Sequence, residues 1–378
     1  MKIVAIITLN GYINYGNRLQ NFALQSIMEE YGFYVETIWV DQTKITTKLS
    51  FIDKIRYIGK KSIYDIFLKI SNKLWVVFHC DEVNMAYSIR TEMFKKFTED
   101  YIKETEFYIS DESIPNDLAS KYDYFIVGSD QVWNPQFTFG SPIYFLTFAP
   151  KEKRIAYSAS FGIDAIPPEY EARFKEWIEG MNCLSVREEA GAKIISKLTG
   201  REAVVLVDPT MMLDKNDWLK ISKESIYKPT KKFLCTYFLG STYDLHKNEI
   251  TKISVDNDLE LVNLGSLYDL KRYSEGPSEF LDYIASCELF LTDSFHGAIF
   301  SILFNKPFIV FDRIGNMPSM SSRIETLLSK FKLEHRKWER VMETGNYFEV
   351  DFSHVKPILE KERKKAYEYL KNALKIKD

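Results

Sequence analysis

Apolar β-type runs alternate with helical patterns along most of this chain, and that alternation is met by a parallel sheet flanked by helices. Lys2 to Thr8 reads as a first strand, Asn17 to Tyr31 sets Leu19, Phe22, Ala23 and Ile27 on one helical face, and Phe33 to Val40 is β-like again. That is a βαβ unit. Strands are also expected at Tyr124 to Val127 and Arg154 to Ser158, before SFGIDAIPPEYEARF, whose glycine and prolines punctuate the chain. The alternation resumes at Val204 to Val207, Phe233 to Tyr237, Leu261 to Leu264, Leu289 to Thr292 and Phe308 to Phe311. The expected fold class is α/β with two doubly wound domains: 1–165, carrying a helical insertion near 44–100, and 166–350. Residues 351–378, charged and amphipathic from Lys356 to Lys375, form a helix that packs back on the first domain and braces it.

The 378 residues suffice for two cores of ordinary size. A net charge of −3 gives no global attraction to nucleic acid, so no nucleic-acid partner is expected. Locally, Lys44 to Lys73 holds eight basic residues against Asp53 and Asp65, interleaved with Ile, Leu and Phe. Two readings stay open: amphipathic helices in peripheral contact with an anionic membrane surface, or a solvated insertion packed on the domain. Cys80, Cys183, Cys235 and Cys287 are scattered without CxxC spacing, which points to a reducing cytoplasm. MKIVAIITLNGYINYGN suits a strand better than a secretion signal, and no apolar run approaches the roughly 20 residues that span a bilayer. The five histidines show no ligand spacing, so no metal is expected; no P-loop and no G-x-S-x-G elbow is present.

Ligands of open parallel sheets bind beyond the carboxyl ends of the strands, and four polar segments follow strand-like runs. In the first, Gly11 to Asn21, Asn14, Gly16, Asn17, Arg18 and Gln20 are available to an anion or a sugar hydroxyl, with helix capping by Asn14 or Asn17 as the alternative. The second runs through Ser129, Asp130, Trp133 and Asn134: Asp130 as proton acceptor, Trp133 as a stacking face, or simply an Asx turn. The third puts Arg187 where a short strand hands over to a helix, as an anion fork or as the partner of a salt bridge to Asp208 or another neighbour. The fourth is an elbow, Asp293-Ser294-Phe295-His296-Gly297, where an apolar strand stops and an apolar helix begins. There Gly297 lets a ligand approach the backbone, the helix start offers N–H groups to an anion, and His296 is the candidate acid or base.

Taken in order, GNRLQNFALQ, FIVGSDQVWNP, RIAYSASFG, LSVREEAG, VLVDPTMML, GPSEFLDYIASCELFLTDSFHGAIFSILFNKPF and SRIETLL resemble the polysaccharide pyruvyl transferase family, from about Gly11 to Leu328. The resemblance implies two Rossmann-like domains in a GT-B-like arrangement, an acceptor side in the first and a phosphoenolpyruvate side in the second. It implies transfer of a pyruvyl group from phosphoenolpyruvate, a donor substrate and not a cofactor, to a saccharide acceptor, with a lipid-linked acceptor among the candidates. The family's histidine falls on His296, its SVRE arginine on Arg187, and an acidic residue of the first domain on Asp130. Members often carry an arginine two residues before the histidine, where this chain has Ser294. The replacement cation is expected among Arg18, Arg313 and Arg323, in that order. The same architecture also admits a glycosyltransferase using a nucleotide-sugar donor, or a non-catalytic glycan-binding protein.

Overall fold

The computed structural model describes residues 1–42, 78–240, 242–313 and 321–376. The basic stretch 44–73 and the membrane contact expected of it lie outside the described residues. A five-stranded parallel sheet runs in the order β3-β2-β1-β4-β5, with β1 at Ile3–Ile7, β2 at Tyr34–Val40, β3 at Glu104–Ile109, β4 at Tyr124–Val127 and β5 at Arg154–Ala156. Central parallel strands are covered on both faces and therefore read as unbroken apolar runs, and every residue of β4 is buried. The edge strand β3, ETEFYI, carries polar residues in its first half, is fully buried only at Ile109, and was not expected from the sequence.

Two short strands, β6 (Ser185–Val186) and β7 (Val204–Val205), pair with each other. Bridges from Ile155 to Cys183 and from Ala159 to Val186 join them to the first sheet. The first layer therefore runs past residue 165, and Val204–Val205 belongs beside it. The punctuation at Pro167 and Pro168 starts a helix, Pro168–Glu179, with proline at its first turn.

The second sheet is parallel in the order β11-β10-β8-β9: β8 at Phe233–Tyr237, β9 at Glu260–Asn263, β10 at Leu289–Thr292 and β11 at Phe308–Val310. The layers share one core, in which Leu19 and Ile27 of the helix Tyr15–Glu30 join Phe290 and Phe300 of the second half. The C-terminal helix, Val355–Ala373, closes it: Tyr369 Oη donates to Ala156 O on β5, Lys365 to Val205 O on β7, and Arg363 to Met211 O and Leu213 O. Cys235 and Cys287 are buried in this core as free thiols. Among the described residues no helix is long and apolar enough to cross a membrane.

Candidate functional site

The candidate site lies where the carboxyl ends of the two sheets meet, and its hub is Asp208, fully buried after β7. One carboxylate oxygen, Oδ2, accepts from Ser129 Oγ at 2.5 Å and Arg187 Nη1 at 2.8 Å, and faces His296 Nε2 at 3.5 Å. The other accepts from the backbone N–H and hydroxyl of Thr210, at 3.0 and 2.7 Å. Burial alone would raise this carboxyl; the charges of His296 and Arg187 and the hydroxyl of Ser129 outweigh it and hold the group well below the usual carboxylate range. Arg187 also reaches Asp130 Oδ1 at 3.4 Å, and its guanidinium lies 4.3 Å from the centroid of the Phe295 ring.

The elbow delivers His296 as expected, but through different local physics. Ser294 caps the helix Phe295–Phe304, its hydroxyl accepting from Gly297 N at 3.3 Å. Gly297 does not open space for a ligand: a Cβ there would lie 2.9 Å from Phe290 Cε1 and Thr292 Oγ1, so its role is close helix–strand packing. Across the seam, a Cβ at Gly16 would fall 2.1 Å from His296 Nδ1. The first turn of the helix Tyr15–Glu30 can therefore touch the imidazole only through a glycine. Asn14 caps that helix and Asn17, partly exposed, follows in its first turn.

Asp130 holds a left-handed backbone, φ 63°, just beyond β4, and is nearly buried. Gln20 fixes this turn, with Oε1 accepting from Ser129 N at 3.0 Å and Nε2 donating to Thr8 Oγ1 at 2.8 Å. Beside Arg187 stand two more arginines. Arg323 lies 5.9 Å from the Phe295 centroid, and burial, then the charges of Arg187 and Arg313, push its guanidinium down to about 9. Arg313 touches the elbow itself, Nε 3.5 Å from Asp293 Oδ2 and Nη2 donating to Asp293 O at 3.2 Å.

Three expected residues are employed elsewhere. Arg18, the first cation candidate, is fully buried in an ion pair with Glu104 at 2.6 Å on β3, whereas Arg313 and Arg323 lie at the elbow, against Asp293 and Phe295. Trp133 is no stacking face: it is fully buried, its indole N–H donates to Tyr144 O, and its ring stacks on Phe145 at 5.4 Å. Asn134 caps the short helix Pro135–Thr138 and donates to Gln131. Conversely, the sequence reading treated Asp208 only as a neutralising partner and offered Gly16 to a ligand, where the structure sets it against His296. The aspartate before proline in VLVDPTMML was the available signal for the first.

A family model described as polysaccharide pyruvyl transferase matches residues 14–315. No curated protein sequence matches the chain. Among solved structures, a Listeria monocytogenes protein described as a UDP-N-acetylglucosamine 2-epimerase is similar over 100% of this chain and 98% of its own, with a TM-score of 0.50 at 11% identity. The UDP-N-acetylglucosamine 2-epimerase of Rickettsia bellii covers 99% and 97%, with a TM-score of 0.49 at 10% identity. Such identities speak to the fold alone, which is the GT-B-like pairing of two Rossmann-like halves.

Proposed function

The chain belongs to the polysaccharide pyruvyl transferase family, a family of transferases, and we propose that it moves the pyruvyl group of phosphoenolpyruvate onto two hydroxyls of a sugar in a surface polysaccharide or cell-wall glycan precursor. The observation that carries the proposal is the meeting of three arginines, Arg187, Arg313 and Arg323, with the His296–Asp208 pair at one seam. Phosphoenolpyruvate carries a carboxylate and a phosphate, and guanidinium groups form charge-assisted forks to both. Arg323, pushed down by its burial and then by the charges of Arg187 and Arg313, gains from an anion placed beside it.

In this reading His296 gives a proton to the methylene carbon while Asp208 balances the charge on its ring. The double bond's electrons form the new C–H bond, leaving cationic character on the carbon that bears phosphate. A sugar hydroxyl adds there and its proton passes to Asp130. The C–O bond to phosphate breaks, its electron pair leaving with phosphate among the arginines, and a second hydroxyl closes the ketal, its proton returning to the now neutral His296. No metal or further cofactor enters the scheme. The acceptor meets the donor in the cytoplasm, a lipid-linked one at the inner face of the membrane.

The test is phosphate release from phosphoenolpyruvate, measured against nucleotide-linked and lipid-linked saccharides. Release that needs both donor and acceptor is expected. Turnover of a nucleotide sugar with no response to phosphoenolpyruvate overturns the proposal in favour of glycosyl transfer, and saccharide binding without any turnover overturns it in favour of a glycan-binding protein.

A further inference from the structure

Tyr12 and Trp39 form a stacked pair, ring centroids 5.2 Å apart and planes 26° from parallel, beyond the carboxyl end of β1 and at that of β2. Tyr12 lies on the loop that runs into Gly16 and so toward His296. Trp133, Tyr15 and Tyr157 are fully buried, whereas both members of this pair keep part of their surface open. The rim is polar. Asn10, on the same loop, accepts from Val40 N at 3.3 Å through Oδ1, while its Nδ2 is buried with no hydrogen-bond partner among the described residues. Glu104 Oε2 accepts from Tyr12 Oη at 3.2 Å, which fixes that ring, and Lys95 Nζ lies 5.7 Å from its centroid.

A flat aromatic surface answers the C–H face of a pyranose, and an unsatisfied amide donor beside it answers a ring hydroxyl. A purely apolar ligand would leave that amide buried and unpaired. We infer that Tyr12 and Trp39 are a saccharide platform, with Asn10 Nδ2 donating to a hydroxyl of the bound ring. That the bound sugar is the pyruvyl acceptor rests on the proposed function; that a pyranose binds here does not.

Saturation-transfer NMR on the full chain separates the two. The probes are methyl β-D-galactopyranoside, methyl β-D-glucopyranoside and methyl N-acetyl-β-D-mannosaminide, with wild type, Trp39→Phe, Trp39→Ala and Asn10→Asp compared. Transfer to the C–H protons of at least one glycoside is expected in wild type and Trp39→Phe, with a loss of fivefold or more in Trp39→Ala. Asn10→Asp keeps the bond to Val40 but removes the amide donor, and should weaken affinity about tenfold; it reports even if the alanine variant does not fold. No transfer in wild type, or equal transfer in all four chains, overturns the platform. Glycoside binding as expected, with no phosphoenolpyruvate-dependent phosphate release from any acceptor, leaves the platform standing and overturns the proposed function. Release unchanged in Trp39→Ala leaves the proposed function standing and overturns the platform as the acceptor's site.

Discussion

At the scale of single residues, Asp208 Oδ2 ties three functions together, since the same oxygen faces a hydroxyl, a guanidinium and an imidazole. Asp208→Asn keeps the shape and removes the charge, so it should cut turnover about 10²- to 10⁴-fold, the range for loss of acid–base support, as should His296→Ala. Melting of the His296→Ala chain should stay close to wild type, and retained activity would exclude the imidazole as the acid. The aspartate behaves differently in acid. Its folded-state carboxyl is held low, so its stabilisation is present above its unfolded value, about 3.9, and fades as pH falls below that. Calorimetry at pH 7 and pH 3.5 should therefore show the wild-type advantage over Asp208→Asn shrinking in acid; an advantage that grows would refute the assigned charge state. Gly16→Ala makes the complementary case from the other lobe. Its methyl would displace the imidazole, being 2.1 Å from Nδ1, so activity should fall at least tenfold while an alanine in the first helical turn costs the fold little.

At the scale of elements, the elbow from β10 into the helix Phe295–Phe304 separates what the sequence could disclose from what it could not. The strand was legible because a covered parallel strand is apolar throughout, and the start of the helix because Ser294 is a capping residue. The role of Gly297 was not legible, because its neighbours, Phe290 and Thr292, become neighbours only once the strand lies under the helix. Gly297→Ala should destabilise the protein by about 1–3 kcal/mol through overpacking, read as a fall in Tm with kcat of the surviving native fraction nearly unchanged. If kcat collapses while Tm holds, the glycine serves the ligand after all. The same distinction explains the other departures. Two-residue strands such as β6 and β7 carry no periodicity, so their sheet could not be assigned. Trp133 was recognisable as a ring after a strand, but whether that ring faces solvent or Phe145 depends on a helix that follows it. Arg187 was found from its junction position, but the choice between an anion fork and a salt bridge to Asp208, 21 residues on, is made only by the tertiary fold.

At the scale of the whole molecule, the halves are joined at a second place, away from the arginines. Tyr15, one residue before Gly16, stacks on Phe280 at 4.3 Å and donates to Glu275 O at 3.0 Å. Arg90, on the helix Cys80–Tyr101, donates to Tyr15 Oη and to Tyr273 O, so the seam is held by one buried guanidinium and one buried phenol. Glu275 carries its carboxyl into this region, where it accepts from Ser225 Oγ. Burial, with the added repulsion of Glu279 and Asp282 exceeding the help from Ser225 and Arg272, pushes it up from 4.5 to about 7. A carboxyl raised on folding stabilises the protein fully below its unfolded value and loses that contribution as pH rises through the folded one. The seam should thus weaken between about pH 4.5 and pH 7 through this group alone. Glu275→Gln keeps a neutral group of the same shape, so its melting temperature should lack that component, and the wild type should lose a few °C relative to the variant between pH 5 and pH 8. Differential scanning calorimetry on both chains reads the difference directly. A wild-type-minus-variant gap independent of pH would mean that Glu275 is ionised in the folded protein at both pH values, and that the contact between the halves does not depend on its proton.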